Sequence, residues 1–261
     1  MTRYLRRGDA DREGRLSMFC FPYAGGGASA YAGWQRRLGD AVEVLPVRLP
    51  GREARMAEPR FTDLTALVAD LDRELGEELD RRPHVLYGHS MGALIAFALA
   101  QHRRARGARL PHALLLGAHR APHLPAPPII HGYVSDDSEL VRGLAMLGGL
   151  PRVLLDRPDW LSALLPVVRG DLMLCAGAPE VDRTPLPVPL HTFAGAEDRL
   201  VTVPEVRAWD AYTSRGSETV VVPGGHFFIR DQETVFLDRL AEVLDRYAAA
   251  PDLVLVGASG D

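Results

Sequence analysis

The chain has no lysine and no asparagine, so all 30 of its lysine-or-arginine positions are arginine. A GC-rich coding sequence suffices as a reason, since both missing residues are encoded by A-rich codons. Arginine clusters such as Arg103-Arg104 and Arg106 read as solvated helix ends, with the docking of an acidic partner as the alternative. Cysteine is scarce too. Cys20 and Cys175 give neither a disulfide framework nor a metal-ligand spacing, and both sit in apolar runs that suit buried thiols better than nucleophiles. No apolar run reaches the ~18 residues of a membrane span. The first residues, Met1-Thr2-Arg3-Tyr4-Leu5-Arg6-Arg7, lack the apolar core of a secretion signal, so a cytoplasmic location is expected. Positive charge is not in excess: 30 basic against 34 acidic residues leave a net charge of -4, which gives no support to nucleic-acid binding. There is no internal repeat.

What is present is the composition of a soluble globular protein, with 47% hydrophobic and 25% charged residues. At 261 residues the chain is long enough to bury a substantial core. Short apolar runs at Leu16 to Phe21, Val42 to Val47, His84 to Gly88, His112 to Gly117, Leu190 to Phe193 and Glu218 to Val222 read as strands. Helical stretches are expected around Tyr31 to Leu38, Thr62 to Asp80, Ala93 to Ala100 and Gln232 to Tyr247. Leu64, Leu67, Val68, Leu71, Leu75 and Leu79 carry the second of these at helical spacing. Strands alternating with helices argue for an α/β fold, with a mainly parallel sheet covered on both faces. From about Arg120 to Leu186 the alternation stops. Prolines 122, 125, 127 and 128 open an irregular passage, helix-like segments follow at Ser138 to Leu147, Arg152 to Leu155 and Asp159 to Arg169, and prolines 185, 187 and 189 close it. A single domain over 1–261 is therefore expected, with a helical lid inserted at about 120–186 and flexible ends at about 1–14 and 251–261.

The chemistry centres on Gly88-His89-Ser90-Met91-Gly92, which joins an apolar strand to an Ala/Leu-rich helix. This is the G-x-S-x-G pattern in the strand, sharp turn and helix context that exposes a serine nucleophile. The bland reading is a turn with an N-capping serine. A serine nucleophile needs a base within hydrogen-bond reach and a third group to orient that base. Downstream, Gly195-Ala196-Glu197-Asp198 and Gly224-Gly225-His226 each follow a strand. The order Ser90, Asp198, His226 is that of α/β-hydrolases. Glu197 competes with Asp198 as the acid, and His89 reads as packing or support. Two backbone donors for an oxyanion are expected at Met91, next after the serine, and at Ala24 in the loop after the first strand. That loop also permits a dinucleotide-binding reading, through Gly25-Gly26-Gly27-Ala28-Ser29-Ala30. The acidic residue expected at the end of the next strand is missing, since Val47-Arg48 stands there.

Together these residues make the chain resemble the stand-alone type II thioesterases of polyketide and nonribosomal peptide synthesis, in the α/β-hydrolase superfamily. The resemblance rests on Phe21-Pro22-Tyr23-Ala24-Gly25-Gly26-Gly27, Leu49-Pro50-Gly51-Arg52-Glu53, the Ser90 turn, Gly195-Ala196-Glu197-Asp198 and Gly224-Gly225-His226-Phe227-Phe228. Leu147-Gly148-Gly149-Leu150-Pro151 and Leu165-Pro166-Val167-Val168-Arg169-Gly170-Asp171 extend it into the lid. Gly170, where the family favours alanine, and the stretch from Met173 to Pro179 depart from the pattern, which bears on acyl-chain preference. The resemblance implies hydrolysis of stalled or aberrant acyl groups from the phosphopantetheine arms of acyl or peptidyl carrier proteins, with acyl-CoA as a further substrate. It assigns the acid to Asp198 and implies no metal and no redox cofactor. A generic carboxylesterase or lipase, an acyltransferase with the same triad, and an inactive hydrolase fold that only binds carriers are the alternatives.

Overall fold

Six apolar runs pair side by side in a computed structural model that describes residues 2–6, 15–127, 136–150, 157–178 and 182–249. They are β1 (Leu16–Phe21), β2 (Val42–Pro46), β3 (His84–His89), β4 (Leu114–Gly117), β5 (Leu190–Gly195) and β6 (Ser217–Val222). All pairings are parallel, in the order β2-β1-β3-β4-β5-β6. Between and after them run α1 (Trp34–Leu38), α2 (Leu64–Arg81), α3 (Met91–Ala105), α4 (Asp137–Met146), α5 (Pro158–Ala176), α6 (Val203–Arg207), α7 (Phe228–Asp231) and α8 (Glu233–Ala248). The expected α/β-hydrolase class is the one observed.

Successive side chains in a strand point to opposite faces, so a strand buried on both sides feeds two cores. In β1, Phe19 and Phe21 join the core under α2 and α3, while Leu16, Met18 and Cys20 join the one under α1 and α8. Helix α2 begins where Asp63 accepts the Ala66 N–H at 2.7 Å, and its apolar stripe from Leu64 to Leu79 is buried. Parallel pairing aligns the strand C-termini: Phe21 sits opposite Gly88, His89 opposite Gly117, and Gly195 opposite Val222. The loops leaving these ends therefore gather at one edge, where α/β sheets bind their ligands.

The insert between β4 and β5 approaches that edge at two places. Arg230 donates to the Gly148 carbonyl just past α4, and the Gly25 N–H donates to Asp171 of α5. Leu140, Leu165 and Val168 bind α4 and α5 to each other in a small apolar cluster of their own.

Several expectations need correction. The start of the chain is anchored within residues 2–6: Tyr4 is fully buried and its hydroxyl donates to Asp70 at 2.5 Å. A single aromatic ring among charged residues has no periodicity to betray it. Residues 7–14 lie outside the described residues, as do the expected helix at Arg152 to Leu155 and the tail from 251. The stretch Tyr31 to Leu38 divides into a 3-10 turn (Ala28–Tyr31) and α1, because Gly33 turns the chain at φ 87. Helix α5 runs on past Arg169 through Ala176, since nothing breaks it before Gly177. Residues 203–212, assigned nothing from sequence, form α6 and a 3-10 turn (Ala208–Tyr212).

Candidate active site

Ser90 leaves β3 with φ 54 and ψ -118, a left-handed conformation unusual for a residue with a side chain. Such strain persists only where the surroundings enforce it, and here they do. The Ser90 N–H donates to the Gly117 carbonyl at 2.8 Å. A Cβ on Gly88 would overlap the backbone at Gly92, and a Cβ on Gly92 would overlap the Phe21 carbonyl oxygen. The two glycines let β1, β3 and the start of α3 approach closely enough to force the turn, which lifts the Ser90 hydroxyl over the sheet edge.

The loops after β5 and β6 bring two more of the expected residues to that hydroxyl. His226 Nε2 lies 3.1 Å from Ser90 Oγ, and His226 Nδ1 lies 2.8 Å from Asp198 Oδ2. Asp198 Oδ1 accepts the N–H groups of Leu200 and Val201 at 2.8 and 3.1 Å. Burial pushes the Asp198 carboxyl pKa up, but the His226 contact and the backbone donors outweigh it and leave it below the ordinary value. Asp198 is thus an anion, and it holds Nδ1 as the protonated ring nitrogen and leaves Nε2 as the acceptor for the serine proton. Glu197, the competing acid, is exposed, and its N–H bonds to the Gly224 carbonyl.

The Ala24 and Met91 N–H groups have no protein acceptor among the described residues. A cavity of about 250 Å³ opens between α3, the loop after β4 and the end of α5. Leu94, Pro122, Leu124, Cys175 and Ala178 line one part of it, and His119, Arg120, His123 and Arg183 another. Among the described residues, no group of three or more His, Cys, Asp or Glu side chains could hold a metal ion. No described helix is long and apolar enough to cross a membrane.

His89, read from sequence as packing or support, is fully buried, and its Nε2–H donates to the His226 carbonyl at 2.8 Å. Burial, then the neighbouring His226, lowers its pKa to about 3, and burial also lowers that of His84 to about 3. Both rings therefore fold as neutral imidazoles. Because their folded values lie below the unfolded value of about 6.5, their contribution to stability is full above that pH and is lost as pH falls toward 3. At pH 5 each should have lost about 2 kcal/mol. Burial lowers His119 to about 4 as well, so urea unfolding at pH 7 and pH 5 should show a drop of several kcal/mol, and His89→Gln should shrink that drop by about 2 kcal/mol. An unchanged drop in that variant would remove His89 from the account.

The family model described as "Thioesterase domain" matches residues 17–246. Linear gramicidin dehydrogenase LgrE of Brevibacillus parabrevis is 34% identical over 250 residues, covering 94% of this chain and 94% of its own. Among solved structures, the RedJ thioesterase of the prodiginine pathway in Streptomyces coelicolor is 37% identical with a TM-score of 0.81, covering 87% of this chain and 89% of its own. The type II thioesterase BorB of the borrelidin cluster is 31% identical with a TM-score of 0.79, over 89% of this chain and 94% of its own.

Proposed function

The chain belongs to the thioesterase domain family, and from that premise we propose that it hydrolyses acyl thioesters carried on the phosphopantetheine arms of acyl or peptidyl carrier proteins. The observation that carries the reading is His226, bridging Ser90 at 3.1 Å and Asp198 at 2.8 Å. Ser90 Oγ attacks the thioester carbonyl as His226 Nε2 takes its proton, and Asp198 stabilises the imidazolium so formed. The Met91 and Ala24 N–H groups receive the oxyanion. As the tetrahedral adduct collapses, the C–S bond breaks and His226 returns the proton to the departing sulfur, which releases the carrier thiol. A water activated by His226 then attacks the acyl-serine and releases the carboxylic acid. The cavity beside Leu94 gives the acyl chain a place to lie.

The reading of carrier-bound substrates is supported by the chain's relatives, since RedJ and BorB are named for biosynthetic pathways and BorB as a type II thioesterase. The dehydrogenase name of LgrE raises the dinucleotide reading of the glycine loop once more. Two features of this chain oppose it. Glu53 already accepts the Ala28 and Ser29 N–H groups at 3.0 Å each, and Asp171 accepts that of Gly25 at 2.8 Å. Two carboxylates thus occupy the donors a pyrophosphate would need. The end of β2 leads into Val47-Arg48, with no acid to receive a ribose hydroxyl.

Steady-state hydrolysis of acyl-carrier thioesters, acyl-CoA and p-nitrophenyl esters of matched chain length tests the substrate. The carrier thioesters are expected to give the highest kcat/KM. Preference for the oxygen esters would make this an esterase.

A further inference from the structure

The Leu49-Pro50-Gly51-Arg52-Glu53 element carries the resemblance to a family but has no part in the steps above. Its two charged residues grip the loop that holds Ala24 from opposite ends. Arg52 is 7% exposed and forms a two-pronged pair with Asp171 of α5, with Nη1 to Oδ2 at 2.8 Å and Nη2 to Oδ1 at 2.7 Å. Its Nη1 also donates to the Gly26 carbonyl at 2.9 Å. Asp171, 3% exposed, accepts the Gly25 N–H on Oδ2 at 2.8 Å. On the far side Glu53 accepts the N–H groups of Ala28 and Ser29 at 3.0 Å each, and the Ser29 hydroxyl at 2.5 Å.

The geometry of the loop says what this grip controls. The Gly26 N–H donates to the Tyr23 carbonyl at 2.9 Å, closing a turn over Tyr23 to Gly26. Gly25 stands at the third position with φ 76, which makes the turn type II. Types I and II differ by a flip of the central peptide, here the one joining Ala24 to Gly25. Asp171 receives the N–H of that same peptide, so the carboxylate selects its orientation and with it the setting of the adjacent Ala24. Met91, the other expected donor, lines the same void of about 10 Å³ as Arg52, Asp171 and Leu174. Glu53 adds a mark of its own: with Ser90 and Ala118 it is one of three described non-glycine residues at positive φ. Strain of that kind collects where a constellation is held for function.

We propose that Arg52, Asp171 and Glu53 are positioning residues for the oxyanion-binding loop, and that the Arg52–Asp171 pair makes the seating of α5 a condition for assembling the oxyanion hole. The inference rests on the acyl-transfer reading above. When α5 is seated, Asp171 fixes the turn. When α5 lifts, the turn loses its acceptor and Arg52 its partner, so the open state is less able to stabilise an oxyanion. Hydrolysis is thereby confined to the closed lid.

The test must separate positioning from stability, because removing one partner of a buried pair destabilises a fold whatever else the pair does. Asp171→Asn keeps an acceptor oxygen but loses the charge, and should lower kcat about 10-fold with KM within about 2-fold of the wild type. The double variant Arg52→Met with Asp171→Leu removes both charges together, and its melting temperature should return close to the wild-type value. Its kcat should nevertheless stay about 100-fold low, since the Gly25 N–H has lost its partner. An acyl trifluoromethyl ketone, which adds to Ser90 as a tetrahedral oxyanion, should bind the double variant about 100-fold more weakly, while the product carboxylic acid binds unchanged. Recovery of turnover together with melting temperature in the double variant would overturn the proposal, as would a wild-type affinity for the ketone. Failure of the acyl-transfer reading would appear separately, as a wild-type protein that neither turns over carrier thioesters nor adds the ketone.

Discussion

Replacing Ser90 with alanine is expected to lower kcat for carrier-thioester hydrolysis by about 10⁶, the scale on which serine hydrolases fail when their nucleophile is deleted. The size of the effect follows from the division of labour at the site. His226 has one ring nitrogen committed to Asp198 and the other to Ser90, so without the hydroxyl it has no nucleophile to activate. The strained Ser90 backbone has the same meaning. Alanine at φ 54 keeps the strain and discards what the strain positions, so the fold should hold while activity vanishes. Single-turnover assays with an acyl-loaded carrier, read by mass spectrometry for an acylated enzyme, check this directly. The wild type should carry the acyl group on Ser90 and the variant should carry none. Turnover by the alanine variant at anything near the wild-type rate would end the covalent mechanism.

The second large effect is expected at Asp198. Asparagine there should lower kcat/KM by about 10⁴ with carrier affinity nearly unchanged, because the amide cannot hold the protonated Nδ1 tautomer or balance the imidazolium. The surroundings of Asp198 make the substitution a clean one. Leu200 and Val201 donate to Oδ1, and an asparagine oxygen can take over those two bonds while its NH₂ group faces His226. That outcome reverses the hydrogen bond to the ring without disturbing the loop. Glu197→Gln provides the control, since its exposed side chain should leave kcat/KM near the wild-type value. Reversal of the two results would transfer the acid role to Glu197.

The parts of this fold that sequence makes visible are those in which period and punctuation agree. The six strands come out within a few residues, because each is a short apolar run bounded by Gly, Pro or charge. The α2 stripe was equally plain, since Leu64 to Leu79 recur on one face. The site was legible for a different reason: a serine, an acid and a histidine must stand at strand ends in a fixed order, and the chain offers Ser90, Asp198 and His226 in that order. What escaped had no periodicity to display. Tyr4 is buried by distant partners, Asp70 at its hydroxyl and Arg55 over its ring, which no local pattern announces. Residues 203–212 show no apolar period, although Thr202-Val203-Pro204-Glu205 has the spacing of a capping box, and Glu205 accepts both the Thr202 N–H at 2.7 Å and its hydroxyl at 2.9 Å. The Arg52–Asp171 pair joins residues 119 positions apart. Both lie in segments that the family resemblance had singled out, but sequence alone does not say that one reaches the other.

The two thiols bear on how turnover can be followed. Cys20 is fully buried and the Cys175 thiol, like it, is pushed far above its ordinary pKa by burial. Thiolate is the reactive form, so burial slows the reaction of both with a disulfide reagent at neutral pH, and Cys175, half-buried in the cavity wall, sets the background. The product of the proposed reaction is itself a free thiol on the carrier arm. A chromogenic disulfide in the assay mixture therefore counts turnovers as they occur, once the slow background of the enzyme alone is subtracted.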